Sequence, residues 1–199
     1  MILSDDYIEI EDFLPLELQD KVLQELTHPS FPWGMTLNSV YGGGSGELTD
    51  DAAVGFFHTF MFNGEQKSPD LPLVSWIMNG FEDAVYGRVR IKEMERIRGG
   101  LFTKHPSDVP HPPHVDSENP HWTAVYYVND CDGDFVLYNQ THPEYKNEYR
   151  VDNSGFTVKK KCKVAKGKLV AFNGTHFHSS SFPNKKPFRM AITFNFTVY

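Results

Sequence analysis

Residues 188–198 alternate without interruption. Phe188, Met190, Ile192, Phe194, Phe196 and Val198 fall on one face of an extended strand, and Arg189, Ala191, Thr193, Asn195 and Thr197 fall on the other. The apolar face must be buried. The polar face either meets water or lines a polar cavity inside a barrel. Upstream, the same extended periodicity predicts strands over 92–103, 122–128, 135–138, 149–158 and 168–172, separated by Gly, Asn, Asp and Pro clusters such as Asn173-Gly174 and Pro183-Asn184. A shorter strand is expected over 7–13. Helical spacing appears twice in the first 90 residues. Pro15 sits where a helix can begin, Leu18, Val22, Leu23 and Leu26 follow at helical intervals, and His28-Pro29 closes the segment. A second helix is expected over 71–86, with Leu73, Ile77, Phe81 and Val85 four apart. Residues 42–46 are too rich in glycine for regular structure and read as a surface loop or lid; no Gly-Lys-Ser/Thr follows to make them a phosphate loop.

Many short strands with turn signals predict a mainly β sandwich or jelly roll, with the N-terminal helices as buttress. At 199 residues a single domain is expected, and 40% hydrophobic residues supply its core. The net charge of -7 argues against nucleic acid and anionic membranes as partners. Two cysteines, Cys131 and Cys162, are too few for a disulfide framework or a four-cysteine zinc site. The opening Met-Ile-Leu-Ser-Asp-Asp is acidic where a signal peptide is basic, so a cytoplasmic protein is expected.

The chemistry concentrates in residues 111–122, HPPHVDSENPHW. His114 and Asp116 have the spacing that places two metal-binding side chains on one face of an extended strand. Chance alone supplies about 0.6 such pairs in a chain with this many histidines and aspartates, so the pair needs company. A facial triad needs a further imidazole from a distant strand. His176 and His178 lie just past the apolar run 168–172 and an Asn-Gly turn. Arg189 follows at the start of the closing strand, where a planar guanidinium could grip a carboxylate through two parallel bonds. The pair Tyr126-Tyr127 could bring a phenol to the same place.

Other histidines compete less well. His142-Pro143-Glu144 has the right offset, but its proline disfavours a central strand. His111 and His121 suit a solvated loop or a supporting role, and His28, His58 and His105 carry no partner signature. The lysines between 159 and 168 read as the wet face or protected edge of a strand. Trp33, Trp76 and Trp122 read as core or pocket wall; Trp122, Tyr138 and residues 42–46 are the candidate pocket elements.

Residues 91–199 resemble the double-stranded β-helix core (jelly roll, cupin-like) of Fe(II)/2-oxoglutarate dioxygenases, in particular the prolyl 4-hydroxylase-like branch. The resemblance is carried by HVD (114–116), AVYYVND (124–130), GDFVLYN (133–139), KLVAFNGTHFH (168–178) and FRMAITFNF (188–196), with residues 1–90 as supporting helices and lid. It implies His114, Asp116 and His178 as iron ligands, His178 being preferred to His176 because the family's histidine stands six residues after the phenylalanine ending the previous strand, here Phe172. It implies Arg189 as the grip on the far carboxylate of 2-oxoglutarate and Tyr127 as its hydrogen-bonding companion. It further implies dioxygen as co-substrate, ascorbate as an accessory reductant, and hydroxylation of a C–H bond in a prolyl peptide or small metabolite, with succinate and CO2 released. Related halogenases lack the carboxylate that Asp116 supplies. The nucleic-acid demethylase branch carries a second arginine six residues after the first, where this chain has Asn195. Two other classes remain open: a non-catalytic jelly-roll binding module, and a zinc-dependent hydrolase built on the same ligands.

Overall fold

The computed structural model describes residues 1–36, 54–105, 111–142 and 155–199. Twelve strands and a few helical turns follow one another: β1 (Ile2–Leu3), β2 (Tyr7–Ile10), α1 (Leu16–Leu26), β3 (Gly34–Thr36), β4 (Gly55–Phe62), β5 (Glu65–Gln66), 3-10 turns at Leu71–Leu73 and Ser75–Gly80, α2 (Phe81–Ala84), β6 (Ile91–Thr103), β7 (Trp122–Tyr127), β8 (Asp134–Thr141), β9 (Val158–Lys163), β10 (Leu169–Asn173), β11 (His176–Ser180) and β12 (Phe188–Val198). They form two antiparallel sheets. The large one runs β1-β2-β10-β7-β12-β6-β4-β3, with β5 attached to β4; the small one runs β11-β8-β9. This is the mainly β jelly roll expected from the strand pattern.

The alternation in β12 sets the layering. Met190, Ile192, Phe194 and Phe196 are completely buried on the outer face of the large sheet. They share a core with Val22 and Leu26 of α1 and with Ile77, Met78 and Phe81 of the helical turns. Phe81 meets Phe196 edge to face, with ring centroids 5.9 Å apart. Burying one such phenylalanine is worth roughly 2–3 kcal/mol, so the helices are fixed by the sheet they cover. A second core lies between the sheets, where Tyr127, Val170 and Phe172 meet Phe135, Leu137 and Cys162. Even-numbered residues of β6, odd-numbered residues of β7 and the polar set of β12 therefore share the concave face.

Several elements differ from expectation. Residues 71–86 are not one helix but two 3-10 turns and a single α turn. Pro72 removes an amide donor at the start, Gly80 weakens the middle, and Val74 to Ile77 is a three-residue step that suits 3-10 geometry. Strand β4 was not anticipated, nor was the Asn63-Gly64 turn (φ 53° and 72°) that folds it onto β5 as a two-residue hairpin. Strand β11 was also not anticipated. The strand expected over 149–158 lies outside the described residues up to 154; regular pairing begins at Val158, in a lysine-rich edge strand. The glycine-rich loop 42–46 lies outside the described residues as well.

Gly133 enters β8 against the carbonyl of Ser181: a Cβ there would stand 2.5 Å from that oxygen. Gly133→Ala is expected to cost about 1–3 kcal/mol in urea unfolding, as overpacking against fixed backbone does. Gly80→Ala, with nothing within 4 Å of the added carbon, should change stability by no more than about 0.5 kcal/mol.

Candidate metal centre

His114 belongs to no sheet strand, yet it pairs with one. Its amide donates to the His178 carbonyl at 3.0 Å, and the His178 amide returns the bond at 2.9 Å. Residues opposed in this way across an antiparallel ladder carry their side chains on the same side. The two imidazoles accordingly sit 4.5 Å apart, centroid to centroid. Asp116 lies two residues further on, at a bend, and its carboxylate reaches the same place. One donor atom from each of His114, Asp116 and His178 lies within 4.8 Å of the other two.

The protonation states suit a metal. His178 is buried beside Phe172 and Phe135, and burial, reinforced by the neighbouring His114, pushes its imidazole down to about 3. It is therefore neutral at neutral pH, as a ligand nitrogen must be. Burial alone would raise the Asp116 carboxyl, but Arg96, helped by a hydrogen bond from Asn195, holds it far below the usual carboxylate range.

Asp116 is oriented by three strands of the large sheet. Arg96 in β6 reaches its Oδ1 at 2.8 Å, and Asn195 in β12 donates to its Oδ2 at 2.9 Å. Arg96 also donates through Nε to the Asn195 oxygen at 2.7 Å, while Asn195 donates to the Thr123 hydroxyl in β7 at 2.9 Å. Sequence reasoning missed Arg96. The available signal was the alternation of β6, which puts Arg96, Arg98, Gly100 and Phe102 on the concave face. It also noted Asn195 only for not being an arginine, whereas a guanidinium does reach this carboxylate, from a neighbouring strand. Each carboxylate oxygen has two lone pairs, so these bonds leave acceptor capacity free.

The same cavity is lined by Arg189 and Tyr127. Arg189 is buried, with its guanidinium carbon 4.8 Å over the Phe102 ring and Nη1 donating to the Ser181 carbonyl at 2.8 Å. Its Nε is buried with no partner among the described residues. Tyr127 stands opposite Ala191, two positions from Arg189, and burial pushes its phenol above the ordinary range, only partly offset by Arg189. The polar face of β12 thus lines a cavity instead of meeting bulk water.

His176 does not join the centre. A bulge between His176 and His178 breaks the ladder, and the His176 ring turns to the Tyr138 carbonyl (3.0 Å) and to Asp6 and Lys159 at the sheet margin. Of the two roles expected for His111, the solvated loop does not hold: it is buried, lines the cavity and packs on Phe182 with centroids 4.2 Å apart. Burial and Arg189 push it down to about 2. His121 is buried too, packed where Gly174 has no side chain; a Cβ there would lie 2.2 Å from its Nε2. Trp122 belongs to the outer core, and Tyr138 packs on the far side of the small sheet with Val136 and Phe177, so neither lines the cavity. His58 is structural, bonded to the Pro32 carbonyl and the Ser68 hydroxyl. Of the alternative metal pair, His142 and Glu144, the carboxylate lies outside the described residues.

No family model matches this chain, and no curated protein matches it in sequence. Solved structures do. A prolyl hydroxylase from Trichoplax adhaerens, in complex with a hypoxia inducible factor oxygen degradation domain peptide, aligns over 98% of this chain and 84% of its own at TM-score 0.61 and 16% identity. A 2OG-Fe(II) oxygenase family oxidoreductase from Burkholderia pseudomallei aligns over 96% and 85% at TM-score 0.65 and 14% identity. HygX from Streptomyces hygroscopicus, with nickel and 2-oxoglutarate bound, aligns over 96% and 82% at TM-score 0.57 and 12% identity. The chain shares the fold of 2-oxoglutarate-dependent oxygenases. Among the described residues no helix is long and apolar enough to cross a membrane.

Asn195→Ala, which removes a bond that orients Asp116, should weaken divalent-metal binding about 10–100-fold in calorimetric titration. His178→Ala should abolish it, and His176→Ala should leave it within about twofold. Because His111 and His178 have lowered values when folded, the unfolded chain takes up their protons first as pH falls below about 6.5. The metal-free protein should therefore be less stable at pH 5 than at pH 7, and His111→Phe should narrow that difference.

Proposed function

We propose that this chain is a non-haem oxygenase dependent on Fe(II) and 2-oxoglutarate that hydroxylates a C–H bond. One juxtaposition carries the reading: two imidazoles and a carboxylate converge beside a buried guanidinium whose Nε has no partner among the described residues. His114, Asp116 and His178 would hold the iron on one face and leave other positions free for co-substrates. Arg189 would take the far carboxylate of 2-oxoglutarate, with Tyr127 beside it. Bound iron supplies the redox chemistry, in which dioxygen and 2-oxoglutarate are consumed, succinate and CO2 are released, and the substrate gains a hydroxyl group.

The protein's own part is positioning. The backbone pair between His114 and His178 fixes the imidazoles, and the Arg96–Asn195 bonds fix the plane of Asp116. Phe57, Phe102 and Phe135 give the cavity apolar walls, which strengthen charge–charge attraction inside it. A zinc hydrolase or a binding module would leave the Arg189 guanidinium buried without an occupant, and that carries a desolvation cost. Ascorbate fits as an accessory reductant, and the substrate is a peptide or a small molecule.

Anaerobic addition of Fe(II) and 2-oxoglutarate should produce a weak visible charge-transfer band. The band should be lost in His178→Ala and retained in His176→Ala. Arg189→Ala should weaken 2-oxoglutarate binding about tenfold or more, the scale on which a buried charged hydrogen bond is lost. Absence of the band in the wild-type protein loaded with iron would remove the oxygenase reading.

A further inference from the structure

Counted over the described residues, the cavity lining carries more positive charge than the proposed iron and 2-oxoglutarate can neutralise. Among the described residues three arginines line it, Arg96, Arg98 and Arg189, and the acidic lining residue is Asp116. A divalent metal and a dianionic co-substrate cancel one another, so the excess of guanidinium groups over the single carboxylate persists after both have bound. In a chain of net charge -7, this local reversal of sign calls for an occupant.

The three arginines are not equivalent. Arg96 is committed to Asp116. Arg189 is bonded to the Ser181 carbonyl and suits the far carboxylate of 2-oxoglutarate. Arg98 has neither an ion pair nor a hydrogen bond among the described residues. Its guanidinium carbon lies 3.7 Å over the Phe57 ring. It stands opposite Thr193 in β12, one step along the concave face from the Arg96–Asn195 pair and one step before the Gly100–Ala191 pair beside Tyr127. Arg98 thus projects from the wall between the metal ligands and the Arg189 end. With one π-face covered by Phe57, the N–H edge is what the group still offers, and that edge matches a carboxylate through two parallel bonds.

We propose, resting on the oxygenase reading, that Arg98 is a substrate-binding residue and that the substrate is a small free carboxylic acid of amino-acid type. An internal prolyl residue of a peptide has its carboxyl group tied up in an amide and offers Arg98 one neutral carbonyl oxygen, with no charge and no second oxygen for a parallel bond. A free acid fills the unpaired edge, removes part of the positive excess and is held on the wall beside the metal.

The test uses the full chain loaded with nickel in place of iron and with saturating 2-oxoglutarate, so that nothing turns over. Free L-amino acids, L-proline among them, are titrated calorimetrically beside their carboxamides and beside end-blocked proline peptides. At least one acid should bind, with its amide weaker by tenfold or more. Arg98→Gln should weaken that acid by tenfold or more while 2-oxoglutarate affinity stays within twofold of wild type, and Arg98→Lys should recover only part of the loss. With iron and oxygen, the same acid should raise succinate release. The proposal is overturned if no acid binds, if acid and amide bind alike, or if Arg98→Gln costs 2-oxoglutarate its affinity. Failure of 2-oxoglutarate to bind the nickel-loaded wild type would instead sink the oxygenase reading beneath it.

Discussion

Two backbone hydrogen bonds, exchanged between His114 and His178, hold the centre of this molecule together. They join a segment that belongs to no strand to the edge of the small sheet, and they oppose two residues 64 positions apart in the chain. Ladder geometry then does the rest: opposed side chains share a side, and Asp116 follows two residues on. Without that pair, the loop from 111 to 122 would carry its histidine and aspartate with no fixed relation to His178.

The rest of the fold keeps that pair in place and controls its charges. Outer-face residues of β12 lock the large sheet under the helical turns, so its inner face is rigid. Three adjacent strands then present Arg96, Asn195 and Thr123 in one row, and that row fixes Asp116. An ionised carboxylate survives burial here because the Arg96 guanidinium and the Asn195 amide adjoin it, while His178 survives as the neutral base because apolar rings surround it. Opposite environments thus act on residues whose donor atoms lie within 4.8 Å of one another.

The balance of charge links site to substrate. Apolar walls make each unpaired guanidinium costly, and Arg96, Arg189 and Arg98 relieve that cost in different ways: one through Asp116, one partly through a backbone carbonyl, and one through the face of Phe57. Gly133 ties this economy back to the fold, since its close approach to the Ser181 carbonyl helps to place the acceptor that Arg189 uses.

Much was legible from the chain alone. The strict alternation of 188–198 determined which face of β12 is buried, because a period of two allows no other partition. The spacing of His114 and Asp116 determined that they share a side. The apolar run 168–172 and the Asn-Gly turn after it determined that His178 lies just past a buried strand. Other features needed the tertiary structure. Whether the polar face of β12 meets water or a cavity depends on what packs opposite, and sequence carries no record of that. The family resemblance already preferred His178 to His176, but the physical reason is a bulge between them, which interrupts the very period that sequence reading relies on. Arg96 and Arg98 became visible as site residues only through register, since cross-strand neighbours are set by pairing between segments nearly a hundred residues apart. A chain specifies periods locally; contacts between its distant parts exist only once those periods are stacked in space.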